Sequence, residues 1–478
     1  MRILNSLIFV GILLNLSQSG HGAEPRFFRD DGGVPADLAA PVPDRFDRSG
    51  DLQWRQPLDS GHSTPCVYGN RIYLTSYNAE RRELATLALD RGTGETVWRR
   101  VVPTDRIEPF HNVGSPAAPS AACDGQRVYA FFGSQGLTCY DLDGNQIWNV
   151  PMGPFQDEFG TGSSPVLADG KVIVAQDHDA NSFVIALEAT TGKELWKTER
   201  PNAVRSYSTP MIWDRGDRKQ IILAGALDLS AYDLETGKRQ WWITGLARIV
   251  IPVPTRKGDT LFVSTWAPGG DSGSRISMGA WDDAANRWDR NRDDKISKSE
   301  LEPGEVLTRF FRMDLNQDNG LDRKEWERHA AVFENARNAV LAIRPGSGTG
   351  DLTGSAVVWN YSRGVPYVSS PLVHGDILYM VKDGGIVTKL EASTGKLLHQ
   401  ERLSGLGNYY ASPVTAGGNV YFASEQGVVT VVRDQVEWEI ISSHDFGERI
   451  YATPTIDRDR IFLRTEKALY SFAYPGKS

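Results

Sequence analysis

One repeat constrains this chain more than any other feature. A hydroxylated residue followed by proline recurs at Thr64-Pro65, Ser164-Pro165, Thr209-Pro210, Ser370-Pro371, Ser412-Pro413 and Thr453-Pro454. Ala118-Pro119 and Val253-Pro254 read as weaker copies, giving eight in all. Successive prolines lie 41 to 54 residues apart, except for an interval of 117 between Pro254 and Pro371. After each proline comes an apolar β-type run broken by a turn dipeptide such as Asp169-Gly170, Asp124-Gly125 or Gly417-Gly418. A second hairpin follows, with an acidic residue, a Thr-Gly turn and a Trp. Asp90 to Trp98, Glu188 to Trp196 and Asp233 to Trp241 are each eight residues apart.

Each unit therefore reads as four short antiparallel strands. One such sheet cannot bury both of its apolar faces, so the units must stack on one another. Radial stacking predicts an all-β, eight-bladed β-propeller of four-stranded antiparallel blades; a linear solenoid is the competing arrangement. The two ends of the chain favour closure. The last unit, after Pro454, supplies only three strands, whereas Asp51–Pro57 carries Trp54 in the recurrent position before the first complete unit. That segment is expected to close the ring as the outermost strand of the last blade. The Trp and Thr-Gly positions are read as packing: indoles fill the space between blades, and glycine supplies a positive φ in the turn.

The turn signature, here ALEATTGKELW and AYDLETGKRQW, resembles the repeat of the quinoprotein (PQQ-type) β-propeller superfamily. The resemblance covers roughly Asp51 to Tyr474 apart from an insertion. The superfamily includes pyrroloquinoline-quinone alcohol dehydrogenases and a non-catalytic propeller of outer-membrane protein assembly, so it implies a fold and leaves the activity open.

The long interval holds an insertion, assigned to residues 270–336, that carries a second signature. DRNRDDKISKSE and DLNQDNGLDRKE both fit the twelve-residue calcium loop, in which oxygens from positions 1, 3, 5, 7, 9 and 12 surround one hard cation. The ligands expected in the first loop are Asp289, Asn291, Asp293, the backbone of Lys295, Ser297 and Glu300. In the second they are Asp314, Asn316, Asp318, the backbone of Gly320, Asp322 and Glu325. Ile296 and Leu321 fall at position 8, where paired loops meet through a short strand contact. Position 6 holds Asp294 and Asn319 in place of glycine, and both residue types tolerate the left-handed region. Apolar residues at helical spacing flank the loops: Trp281, Ala285 and Trp288 before, Trp326 and Ala330 after. With the loops starting only 25 residues apart and Pro303 between them, a static EF-hand pair is expected rather than a sensor that opens. The second loop, with four carboxylates against three, is expected to bind more tightly. Because the insertion falls between the second and third strands of blade 5, it should lie over the channel face.

The residues leading into each innermost strand should ring that face. They include His62, His111, Arg205, Tyr207, Arg248, Tyr367, Tyr409, Tyr410, Arg449 and Tyr451, with Asp177, His178 and Asp179 in a polar turn beside them. Arg205, Arg248 and Arg449 are the candidate cofactor-binding residues, since guanidinium forks and Tyr rings suit an anionic planar ligand. A wet channel lined with polar side chains accounts for the same residues without a ligand. The alcohol-dehydrogenase branch of the superfamily has an adjacent Cys-Cys pair against its quinone and a calcium ion in the channel. Here Cys66, Cys123 and Cys139 are never adjacent, and the recognisable calcium ligands all lie in the insertion. The resemblance thus makes PQQ a possible but disfavoured cofactor, and no catalytic residue is assigned. Cys123 and Cys139 could pair within their blade.

Residues 1–23, with Arg2 ahead of an apolar run from Leu7 to Leu16 and a small polar tail to Ala23, read as a secretory signal peptide. No Cys follows the run to carry a lipid, and no second stretch could span a membrane. The organisation expected is a leader (1–23), an N-terminal extension (24–50), the ring-closing strand and blades through the first half of blade 5 (51–269), the insertion (270–336) and the rest of the ring (337–478). A net charge of −8 without a long basic block argues against nucleic acid. The expectation is an exported, periplasmic or secreted calcium-binding propeller that acts as a binding or assembly module. Its ligand at the channel face, whether protein, glycan or small molecule, is unnamed. The alternative is a quinoprotein oxidoreductase with an altered site.

Overall fold

The repeated proline stands immediately before the innermost strand of its blade, where the missing N–H is not needed by the ladder and the fixed φ aims the chain into the sheet. Innermost strands follow at Cys66–Tyr68, Val166–Ala168, Met211–Asp214, Thr255–Lys257, Leu372–His374, Val414–Ala416 and Thr455–Asp457. The computed structural model describes residues 25–35, 41–47, 50–104, 107–157, 159–179, 181–216, 218–268 and 278–474. The expected leader lies outside the described residues. Among those described, no helix is long and apolar enough to cross a membrane.

Eight sheets form, each with four antiparallel strands in simple meander order, making an eight-bladed propeller. The strand Leu52–Pro57 pairs antiparallel with Ala468–Ala473 at the outer edge of blade 8, so the ring closes as the incomplete ends imply. In blade 5, Thr260–Thr265 pairs directly with Ala339–Ile343 although the insertion separates them in sequence. Gly350–Asp351 adds a short parallel fifth strand to blade 4 beside Trp241 and Trp242.

The apolar cores lie between adjacent blades. Val67, Ile72, Leu74, Leu87 and Leu89 of blade 1 bury against Phe462 and Leu469 of blade 8, for example. At roughly 1.5–3 kcal/mol per fully buried large apolar side chain, these seams hold the ring together. Recurrent Trp residues finish several of these seams. The indole Nε1 of Trp54, Trp98, Trp148 and Trp196 donates to the turn carbonyls of Arg91, Leu142, Ala189 and Leu234 on the next blade, at 2.9 to 3.2 Å. Gly237 shows why glycine occupies this turn. Its φ is +68°, and a Cβ there would lie 2.3 Å from the ring of Trp196. In blade 6 the arrangement is exchanged: His399 takes the Trp position and stacks on Trp438 of the following turn, at 5.8 Å between centroids.

Two expectations need correction. The blade 2 copy of the repeat is Ser120-Ala121, not Ala118-Pro119. Ala122 pairs with Tyr129 as Cys66 pairs with Tyr73, which makes Ala121 the equivalent of Pro65. Blade 2 thus keeps the hydroxyl and lacks the proline, whereas blade 5, with Val253-Pro254, keeps the proline and lacks the hydroxyl. Cys123 and Cys139 also stay free and buried, as does Cys66. They face different seams, Cys123 towards blade 1 and Cys139 towards blade 3, so their side chains point away from each other.

Residues 25–35 of the N-terminal extension, which showed no repeat, bond to the inner edge of the ring. Arg26 exchanges two backbone hydrogen bonds with Cys123, both at 2.8 Å. Arg29 donates to the carbonyl of Pro371, and Gly33 accepts from the amide of Thr415 at 3.0 Å. Val42 and Phe46 then pack into the seam between blades 7 and 8.

Candidate functional site

A belt of hydroxyls encircles the channel. The amide of Thr64 donates to Ser120 Oγ, that of Ser120 to Ser164 Oγ, and that of Ser164 to Thr209 Oγ1, each at 2.9 Å. The same link runs from Val253 to Ser370, Ser370 to Ser412 and Ser412 to Thr453 at 2.9 to 3.0 Å. These six hydroxyls each satisfy a backbone donor of the preceding blade, which would otherwise be buried without a partner. Val253 has no hydroxyl to accept from Thr209, so the belt is interrupted between blades 4 and 5.

Above the belt is a cavity of about 190 Å³, walled by the same hydroxyls and by His62, Tyr207, Tyr367, Tyr410 and Tyr451. His62 stacks on Tyr451 at 4.0 Å, and Tyr451 leans on Tyr410 at 5.4 Å. Phe28, from the N-terminal extension, reaches the same cavity. No Lys, Arg, Asp or Glu lines it among the described residues. His62 adds no charge near neutral pH, because burial, helped by Arg464, pushes its imidazole down to about 3. Tyr409, expected here, instead turns into the seam of blades 6 and 7 and donates to the carbonyl of Gly405. His111 is exposed and packs on Phe159.

Arg205, Arg248 and Arg449 are not brought together. Arg205 forms a buried two-pronged pair with Asp179, Nη2 to Oδ2 at 2.9 Å, and lies over the ring of Phe311. Asp177, at the other end of that polar turn, holds buried Arg200 in the same way. His178 between them is buried against Phe155, and burial lowers it to about 4. Arg248 is half-buried, and burial together with Arg312, Arg205 and Arg309 lowers its guanidinium to about 10. Arg449 is exposed on the last connection, beside Tyr451 and Glu425. Asp157, which no motif marks, accepts from Tyr207 Oη at 2.6 Å, and burial pushes its carboxyl up to about 7.

The insertion sits over the channel face, as its place between the second and third strands requires. Gln156 donates to the carbonyl of Leu315, and Arg328 to that of Pro201. It contains helices α1 (Trp281–Trp288), α2 (Glu305–Met313) and α3 (Arg323–Asn335). The short α2 between the loops has no counterpart in the expected elements. Ile296 pairs with Leu321 and Ser297 with Gly320, so the two loops meet at position 8. Trp281, Phe310, Met313 and Trp326 form the shared core.

The two loops repeat one hydrogen-bond pattern. Glu300 Oε1 accepts from the amides of Arg290 and Asn291 at 3.0 and 3.4 Å; Glu325 Oε1 accepts from Leu315 and Asn316 at 2.8 and 3.3 Å. Asp289 receives the amides of Asp293 and Asp294, and Asp314 those of Asp318 and Asn319. Asn291 and Asn316 repeat the match at position 3. Asp294 and Asn319 take φ values of 61° and 67°, the left-handed geometry that position 6 demands. The carboxylates thus point inward onto the loop's own amides. Among the described residues no three His, Cys, Asp or Glu side chains are gathered as a ready-made metal cluster. Asp322 and Glu325 also form the capping box of α3, so they have a structural role as well. Lys295 Nζ contacts Asp318, tying the first loop to the second.

Eight closed four-stranded blades, stitched by Trp onto Thr-Gly turns, define a PQQ-type β-propeller. The chain belongs to the family described as Outer membrane protein assembly factor BamB, which it matches over residues 46–161, 88–248 and 288–474. No protein of curated function matches the sequence. BamB from Moraxella catarrhalis has a similar structure, with a TM-score of 0.53 and 12% identity over 88% of this chain and 100% of that one. Quinohemoprotein alcohol dehydrogenase ADHIIG from Pseudomonas putida HK5 gives 0.57 and 12%, over 94% and 79%. The computationally designed Ika8 protein gives 0.55 and 8%, over 89% and 100%. At these identities the likeness is one of fold.

Proposed function

We propose that this chain is an exported, calcium-binding propeller whose channel face serves as a binding or assembly surface, and that quinone chemistry is not its task. The uncharged channel cavity is the observation that carries the reading. A quinone with three carboxylates needs cations around it. The cavity offers aromatic rings and hydroxyls instead, Arg205 is committed to Asp179, and Arg449 stands in solvent. Such a lining suits an uncharged ring-bearing or peptide-like ligand. The family description, an assembly factor, supports a protein partner.

Calcium would be held by Asp289, Asn291, Asp293, the Lys295 carbonyl, Ser297 and Glu300 in one loop. Asp314, Asn316, Asp318, the Gly320 carbonyl, Asp322 and Glu325 would hold it in the other. The fit rests on the matching inward carboxylates and left-handed position 6 of both loops. Each carboxylate has lone pairs beyond those its amide donors use. The ion would neutralise crowded carboxylates and fix the insertion over the channel face. Export is read from residues 1–23, and the amino terminus of the secreted or periplasmic protein tests it.

The deciding experiment is calorimetric titration of residues 24–478 with pyrroloquinoline quinone at saturating calcium, alongside melting with and without calcium. The expected result is no one-to-one quinone complex, with calcium raising the melting temperature. At a hundredfold excess over Kd, one site adds about 2.7 kcal/mol. Tight stoichiometric quinone binding would overturn the reading and make the chain a dehydrogenase.

A further inference from the structure

The insertion and the propeller enclose a second, smaller cavity of about 30 Å³, separate from the channel. Its wall comes from four elements. The connection between blades 3 and 4 supplies Arg205, and that between blades 4 and 5 supplies Arg248. The end of α2 supplies Arg312, and α3 supplies Arg328 and Glu325. We infer that this cavity is a binding site for a small monovalent anion, of chloride or carboxylate size.

The charge balance of the wall carries the inference. Asp179 neutralises Arg205, and nearby Asp177 neutralises Arg200. Arg328 shares the field of those two aspartates, which leaves Arg248 and Arg312 facing the single lining carboxylate, Glu325, whose oxygens already accept three backbone amides. Three neighbours of its own sign, Arg312, Arg205 and Arg309, act on Arg248, opposed only by the phenol of Tyr367. Arg328 adds a donor: its Nη1 holds the Pro201 carbonyl, while its Nη2 is buried with no hydrogen-bond partner. Like-charged, half-buried guanidinium groups gathered at one cavity repel one another, and a buried donor left unmade costs its desolvation. One anion answers both. A cavity of this size has room for a monatomic ion or a small carboxylate, and not for a tricarboxylate ring system. The site does not depend on the calcium reading. Calcium would nevertheless draw on Glu325 and leave the wall more positive, so the two ions should favour each other.

The test is chloride NMR line broadening on the intact mature protein, with formate as competitor. The expected result is excess broadening by the wild type that formate removes. Arg248→Met and Arg312→Met should each weaken chloride about tenfold or more, the loss of one charge-assisted hydrogen bond. Arg449→Met, a surface guanidinium elsewhere on the face, should leave the broadening unchanged. Melting curves establish that each variant is folded, and Arg248→Lys, which keeps the charge, should retain part of the effect. Absence of excess broadening in the wild type would overturn the inference. So would an unaltered Arg248→Met, or an Arg449→Met that loses as much.

Discussion

Arg205 looks from its position like a ligand-binding residue and in the structure is a fastener; the two roles differ in a measurable way. Its side chain and that of Asp179 are 4% and 2% exposed. Two hydrogen bonds join them, and Phe311 of the insertion covers the guanidinium at 5.4 Å. Arg205→Met keeps most of the stem and removes the charge, leaving the Asp179 carboxylate buried and alone. Breaking a buried pair from one side costs about 3–5 kcal/mol. Asp179→Asn strands the guanidinium and should fall in the same range. The double variant removes both charges, so it should recover most of the loss and lie within about 1–2 kcal/mol of the wild type, with strongly non-additive single effects. Urea unfolding at saturating calcium, followed by Trp fluorescence, measures all three. If Arg205→Met lies within about 1 kcal/mol of the wild type, the pair behaves as a solvated one. The guanidinium would then be free to serve a ligand, and the reasoning would fail.

Three other outcomes follow from the same geometry. Calcium calorimetry should resolve two sites; Glu325→Gln should abolish the tighter and Glu300→Gln the weaker, in line with four and three carboxylates. Asp157, raised by burial to about 7, is protonated in the folded chain at pH values where the unfolded chain is ionised, so its stability contribution is lost as pH rises through 7. Asp157→Asn should therefore match the wild type below pH 4 and exceed it at pH 8, by at most about 4 kcal/mol, as read from paired denaturation curves. Gly237→Ala should destabilise by about 2–4 kcal/mol through the clash with Trp196 added to its left-handed φ. Gly216→Ala, at φ +87° with open space around it, should show only the backbone part in the same melts.

Blade number, ring closure and the site of the insertion were legible because each rests on a local pattern that recurs. A Trp eight residues after an acid, or a turn dipeptide between two apolar runs, carries its geometry with it. What the sequence hid is long-range. Ser120 lacks a proline and shows its place through the Ala122–Tyr129 pairing and the Thr64 amide, 56 residues away. The path of residues 25–35 depends on contacts such as Arg29 to Pro371, 342 positions apart, and no periodicity announces them. The three arginines lie on connections between blades, but their fates depend on neighbours. Asp179 claims one, the insertion half-covers another, and solvent takes the third. The cysteines failed for the simplest reason: on a sheet, nearness in strand order says nothing about which face a side chain takes.

The amino-terminal segment also sets an order of events. Arg26 pairs with Cys123 in blade 2, but Arg29 and Gly33 bind at Pro371 and Thr415 of blades 6 and 7, and Val42 and Phe46 need the seam of blades 7 and 8. The strand Leu52–Pro57 has no partner until Ala468–Ala473 exists. A chain made from its amino terminus therefore carries its earliest residues unplaced until its latest ones arrive. Such distant pairings make assembly slow and leave partly folded species open to aggregation or proteolysis. A product cut short by even the final blade would have neither a closed ring nor the complete seam that receives Val42 and Phe46. Completion of this molecule is thus reported at its beginning, by protection of the amino-terminal segment once the ring has shut.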